Sequence, residues 1–234
     1  MAGRGEIGGR DRSQNCSDAG RSDKNLNEDT ITSCRACEGP RETIGHILSH
    51  CPNYHWTLFT ERHNRVLYLL VKAVLTSLKL GIPESMRGPG GVAVAGVTGG
   101  RGIKVLVDQL IPTSRTVIHR KPDLVVRMEE ERRVVIFEVA CAWDRGLKER
   151  EVEKRGKYQE LAADLATQER TITYKVVVVP VVLGDLGTIT GLKKNLKRAK
   201  LLTDEEMDRF MASAQREVLC AAIKITKRHF TTDT

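Results

Sequence analysis

Residues 172–182 read ITYKVVVVPVV, and this run limits the possible folds more than any other part of the chain. Six of its residues from Val176 on are β-branched, with no alternation of polar and apolar positions, which describes a strand buried on both faces. Such a strand needs a layer on each side, and the elements around it supply helices. Apolar residues predict a helix over 58–80, where Val66, Leu70, Val74 and Leu78 recur at intervals of four with Leu67, Val71 and Leu75 beside them. Residues 81–102 form a Gly- and Pro-rich connection with a short strand at 92–97. The period then shortens to strands in IKVLVDQL, PDLVVRM and RRVVIFEVA, the last two joined by an acidic turn at 129–131. A charged helix over 146–168 precedes the 172–182 strand. A glycine-marked loop, a basic helical stretch (LKKNLKRAK) and a last helix follow it. Thr203 and Glu206 read as the capping box of that last helix. The order predicts an α/β sandwich with a mixed central sheet.

The longest apolar run, Val176–Leu183, has eight residues and contains a proline, far short of the ~20 that a spanning helix needs. The first residues carry charge and glycine but no apolar stretch, so the sequence predicts an intracellular protein whose six cysteines are metal ligands or core thiols. Residues 1–33 read as a disordered leader with five basic and six acidic side chains. The remaining 33 basic and 24 acidic residues place an excess of +9 in 34–234, which favours a polyanionic partner, nucleic acid first. Aromatics make up only 4% of the chain, so few rings are on hand for stacking bases.

Two groups carry chemistry. Cys34-x2-Cys37-x8-His46-x4-Cys51 has the composition of a closed tetrahedral zinc site, a structural one because no position is left open. His50 and His55 compete with Cys51 for the fourth place. Cys16 reads as a tail thiol, and Cys141 and Cys220 as core thiols. The second group starts from two carboxylates that interrupt apolar strands. Asp123 stands in Lys121-Pro122-Asp123-Leu124, and Glu138 shares a strand face with Val134, Ile136 and Ala140. Neighbouring strands lie about 4.8 Å apart, so both acids can reach one Mg2+. The plainer alternative pairs them with Arg120 or Arg133. At 100° per residue Leu147, Lys154, Tyr158, Leu161 and Leu165 fall on one stripe, which aims Lys154 at the sheet and leaves Lys148, Arg155 and Lys157 in solvent. Lys154 then serves phosphodiester chemistry or simply pairs with Glu138. Lys193, Lys194, Lys197 and Arg198 are candidates for phosphate contacts, or else a solvated helix face.

Taken together, these motifs resemble the C-terminal region of site-specific non-LTR retrotransposon proteins that carry a restriction-like endonuclease. The likeness rests on Cys34, Cys37, His46 and Cys51, then Lys121-Pro122-Asp123-Leu124, Glu138, and Lys154-Arg155-Gly156-Lys157-Tyr158. Glu42-Thr43, His46-Ile47-Leu48 and Arg62-His63-Asn64 add to it, and it spans roughly residues 34–180. The resemblance implies a zinc knuckle at 34–55 and a PD-(D/E)xK endonuclease domain at 56–234 that nicks double-stranded target DNA for integration. It makes Asp123 and Glu138 the Mg2+ ligands, Lys154 the catalytic lysine and Tyr158 its helper. The position two after Glu138 is Ala140 where the plain motif has lysine, and the lysine moves to the helix. The chain would be a piece of a longer nuclear protein without its reverse transcriptase, with DNA and the element RNA as partners. Its oligomeric state stays open. A non-catalytic zinc-containing nucleic-acid-binding module, or an inactive relic, is the alternative.

Overall fold

The computed structural model describes residues 33–39, 41–86, 95–167 and 173–231. The leader expected at 1–33 therefore lies outside the described residues except for Ser33. Five strands form one sheet in the order of the chain: β1 (Gly96–Gly100), β2 (Ile103–Val107), β3 (Leu124–Met128), β4 (Arg133–Ala142) and β5 (Lys175–Gly184). The first four are antiparallel neighbours, with Leu124 opposite Phe137 between β3 and β4. β5 runs parallel to β4 along its whole length, from Arg133 opposite Lys175 to Ala142 opposite Gly184. The sheet is therefore mixed. A parallel pair needs a crossover, and α3 (Leu147–Lys157) and α4 (Gln159–Thr167) provide it.

Both faces of β4 are buried, and its period of two divides them. Val135, Phe137 and Val139 join Leu70, Val74, Val179 and Phe210 in the larger core, under α2 (Thr60–Ser77), α5 (Leu192–Ala199) and α6 (Asp204–Phe230). Val134 and Ile136 face the other way and pack with Val125, Tyr158, Leu161 and Leu165. Glu138 lies on this second face, as the strand period predicts. β5 is an edge strand, which explains how Pro180 is tolerated without breaking a ladder.

Three boundaries differ from the sequence reading. The first short strand lies at Gly96–Gly100, and residues 92–94 of the expected 92–97 are outside the described residues. The first long helix starts at Thr60, after a single turn α1 (Pro52–Tyr54) and two wide π-type turns at His46–His50 and His55–Phe59. The helix expected over 146–168 breaks at Tyr158, whose φ of −108° and ψ of 16° end α3. The capping box at Thr203 is formed: its hydroxyl accepts from the Glu206 amide at 3.2 Å, and the Glu206 carboxylate accepts from the Thr203 amide at 2.8 Å. Among the described residues no helix is long and apolar enough to cross a membrane.

Candidate metal centre and catalytic cavity

Cys34, Cys37, His46 and Cys51 converge, with one ligand atom from each within 4.8 Å of all the others. The Cys34–Cys37 turn presents both sulfurs to one point. The amides of Cys37 and Glu38 donate to the Cys34 carbonyl at 3.2 and 2.7 Å, and Glu38 takes a φ of 54°. Cys37 Sγ lies 3.3 Å from His46 Nε2, and Cys34 Sγ lies 4.0 Å from Cys51 Sγ. Burial pushes the Cys51 thiol up to about 12, with Cys37 and Cys34 adding to the rise. Ionised sulfurs packed this closely need a cation among them, and three thiolates with one neutral imidazole suit zinc. The cluster is consistent with a structural zinc site. His50 and His55 are not part of it: His50 Nδ1 is 3.1 Å from the Gly45 carbonyl, and His55 packs edge-on to Trp56.

The knuckle does not stand apart from the rest of the fold. Cys34, Ile47, Leu48, Cys51 and Tyr54 share an apolar cluster with Ala222 and Ile225 of α6. Buried His229, near the end of that helix, lies 3.0 Å from both the Tyr54 hydroxyl and the Glu42 carboxylate. Glu42 also accepts from Arg35 at 3.0 Å, and its carboxyl is held down at about 2; burial opposes this shift, and the hydrogen bonds from Arg35 and His229 outweigh it.

At the middle of β4 the predicted acids come together. Asp123 immediately precedes β3, and its Oδ2 accepts from the Val139 amide at 2.7 Å, one residue past Glu138. Glu138 is buried, and its Oε1 accepts from Lys154 at 3.2 Å and from Lys157 at 2.7 Å. Its Oε2 has no hydrogen-bond partner among the described residues. Neither acid pairs with Arg120 or Arg133 among the described residues; Arg133 instead donates to the Ala199 carbonyl. The expectation that Lys157 and Arg155 point into solvent is wrong. Lys157 stands three positions after Lys154 in α3, so the two are neighbours on one side of the helix and both reach Glu138 Oε1. Arg155 is held by Glu151 at 2.6 Å and Asn195 at 3.0 Å. The Tyr158 hydroxyl is committed too, donating to the Lys121 carbonyl at 3.0 Å.

A residue given no role from the sequence completes the site. His63 on α2 places Nε2 3.3 Å from Asp123 Oδ2 and Nδ1 3.1 Å from the side-chain Oδ1 of Asn64. Burial pulls the imidazole down, but the Asp123 carboxylate outweighs it and holds the ring above its ordinary value. In turn, burial pushes Asp123 up, and the His63 and Val139 donors bring it below its ordinary value. A cavity of about 280 Å³ opens here, lined by His55, Phe59, His63, Glu138, Arg150 and Lys154. Behind it Arg62 is buried and paired with Asp185 at 2.8 Å, and it also donates to the Leu48 carbonyl at 3.0 Å; the Ser49 hydroxyl is Asp185's second donor. This pair ties the knuckle, α2 and the end of β5 to one wall of the cavity.

No family model and no curated protein matches the sequence. A solved structure similar to the chain is that of an N-terminal domain of a reptarenavirus L protein: 14% identical, covering 67% of this chain and 74% of that one, with a TM-score of 0.29. At that overlap the likeness establishes neither fold nor activity.

The remaining predicted residues are less concentrated. On α5, Lys193 is paired with Asp208 at 2.6 Å and Lys197 with Asp204 at 2.9 Å, while Lys194 and Arg198 are exposed. Half of that basic stretch is therefore already neutralised by the start of α6. Cys141 is partly buried, as a core thiol should be, but Cys220 is exposed on α6 and is not one. Cys16 lies outside the described residues. His63 had one signal in the sequence, its place in the Arg62-His63-Asn64 segment of the family resemblance, which carried no chemistry without the sheet beside it.

Proposed function

We propose that the chain is a divalent-metal-dependent endonuclease of the PD-(D/E)xK kind, acting on DNA phosphodiesters. The observation that carries this reading is the convergence of Asp123, Glu138 and Lys154 at the middle of β4, beside a cavity that Glu138 and Lys154 line, with a buried Glu138 oxygen that has no hydrogen-bond partner among the described residues. A buried, unpartnered carboxylate oxygen beside a second carboxylate fits a hard cation, and Asp123 and Glu138 are the residues to hold one. Such an ion, when bound, supplies Lewis acidity at the phosphoryl oxygen and a more acidic attacking water.

The protein's own groups have separable parts in this reading. Lys154, on the cavity wall, offsets the charge that builds on a phosphate in the transition state. Lys157 donates to the same Glu138 oxygen as Lys154 and helps to hold that carboxylate in place. His63 and the Val139 amide fix the rotamer of Asp123 by holding one of its oxygens. Tyr158 acts through its hydrogen bond to Lys121, which ties down the segment carrying Asp123; it is a positioning residue. The knuckle forms part of the cavity wall through Ser49, His55 and Phe59, so zinc supports the site without entering the chemistry.

The competing reading is a folded module that binds nucleic acid without cutting it. Its support is that Glu138 Oε1 already accepts from two lysines, Lys154 and Lys157. Supercoiled plasmid incubated with the protein and Mg2+ separates the two. Nicked circles that disappear with Asp123→Ala support the nuclease, and intact plasmid under conditions where the protein binds it refutes it.

A further inference from the structure

Of the ten Phe, Trp and Tyr side chains, all within the described residues, eight are buried or partly buried, and only Trp56 and Phe230 are exposed. Phe230 carries the Arg35 guanidinium over its ring at 4.9 Å, so one face is taken. Trp56 is 84% exposed, more than any other large apolar side chain described. A single exposed apolar residue calls for no explanation in itself. What distinguishes Trp56 is its place.

The turn His55–Phe59 is a ridge with a cavity on each side. His55 and Phe59 line the cavity that holds Glu138 and Lys154. Thr57 and Leu58 line a wider one of about 600 Å³, together with Arg35, Lys224 and Arg228. Trp56 stands on the crest between them, its indole steadied by the edge of His55, with centroids 4.7 Å apart and planes at 90°. Both cavities are basic. Arg35, Lys224 and Arg150 rest on Glu42, Glu61 and Glu153 at the rims, contacts that phosphates can replace.

We infer that Trp56 is a base-stacking residue: a nucleic-acid strand crosses this ridge with an unpaired base on the indole and its flanking phosphates in the two basic cavities. The charge on either side selects a polyanion, and a flat ring between two phosphate-binding regions selects a base face. Inside a duplex both faces of a base are covered by its neighbours, so the ring is offered to a single-stranded or frayed segment. One exposed indole suffices for one base, so the low aromatic content is no obstacle. Delivery of that strand to a reactive centre rests on the nuclease reading; the stacking itself does not.

The test uses the full chain without added Mg2+, a twelve-nucleotide oligo-dT, the matching oligo-U, and a blunt GC-rich duplex. Oligo-dT should quench indole emission in the wild type, and Trp56→Phe should remove most of the quench while keeping affinity within a few-fold. Trp56→Ala should weaken single-strand binding by about ten-fold or more, in line with stacking on one base, and change duplex affinity by less than two-fold. A loss in either the deoxy or the ribo arm supports the stack and names the strand it serves. The inference is overturned if Trp56→Ala binds both single strands like the wild type, or loses single strand and duplex equally. A Trp56-dependent loss in a protein that never nicks plasmid would leave the stack standing and remove the nuclease reading alone.

Discussion

Removing both lysines from Glu138 should cost far more than removing either one. In Lys154→Ala the Oε1 atom keeps Lys157 at 2.7 Å, and in Lys157→Ala it keeps Lys154 at 3.2 Å. Each single variant therefore loses one charge-assisted hydrogen bond from a lysine that is itself partly exposed, about 1–2 kcal/mol. The double variant leaves a buried carboxylate with no cation, about 3–5 kcal/mol. For a chain of this size one kcal/mol moves the melting temperature by about 2–4 °C. The singles should melt roughly 2–8 °C below wild type and the double roughly 6–20 °C below. Adding Glu138→Gln to the double variant should recover much of the loss, because a neutral amide needs no counter-ion. The assay is thermal unfolding followed by circular dichroism, run beside plasmid nicking in Mg2+. Lys154→Ala should be folded and unable to nick, with DNA affinity little changed, and Lys157→Ala should be impaired as well. A double variant no less stable than the weaker single would refute the shared clamp, and a Lys154→Ala protein that still nicks would remove Lys154 from the chemistry.

One zinc per chain is expected by metal analysis. Cys51→Ser should lower that content, whereas His50→Ala and His55→Ala should leave it unchanged; full occupancy in Cys51→Ser would contradict the ligand set. Arg62→Met should cost about 3–5 kcal/mol at pH 7 by leaving Asp185 buried without its cation. Burial already raises the Asp185 carboxyl above 3.8, with Arg62 opposing. The folded state thus holds this proton at a higher pH than the unfolded chain does, and stability from it falls as pH rises through the raised value. The Arg62→Met deficit should accordingly shrink as the pH is lowered from 7 and Asp185 takes up a proton, and a deficit independent of pH would show that the ion pair is not its source. Neutralising Lys193, Lys194, Lys197 and Arg198 together should lower the log–log salt slope of DNA binding by about two units or less, because among the described residues Lys193 and Lys197 already have carboxylate partners and Lys194 and Arg198 do not. A fall near four units would mean that DNA displaces Asp204 and Asp208, and an unchanged slope would mean that this face meets no phosphate.

The sheet was legible because its signal is local. Valine-rich runs with a period of two, the capping box at Thr203 and the Cys-x2-Cys turn each need only neighbouring residues to declare themselves. The choice of Cys51 over His50 and His55 needed more. All three lie within five residues of one another, and the wide turn at His46–His50 decides which one faces the cluster. No periodicity of 3.6 predicts a π-type turn, since it arises where side chains must reach a common point.

Lys157 and His63 mark where reading residues in order stops working, and they fail for related reasons. A narrow helical stripe leaves out residues three positions away, yet Lys157 neighbours Lys154 on α3 and reaches the same Glu138 oxygen. That reach depends on how α3 packs against β4, which the stripe alone does not show. His63 meets Asp123 across 60 positions, and their opposed shifts exist only because α2 packs against that end of the sheet. Arg62, next to it, anchors the same turn of α2 to Asp185 and to the knuckle. Any account of the cavity in which the knuckle is a detachable module therefore has to explain how His63 would keep its place when the Leu48 carbonyl and Ser49 hydroxyl, which hold Arg62 and Asp185, are gone. Loss of zinc should reach Asp123 through that chain of contacts before it reaches the sheet.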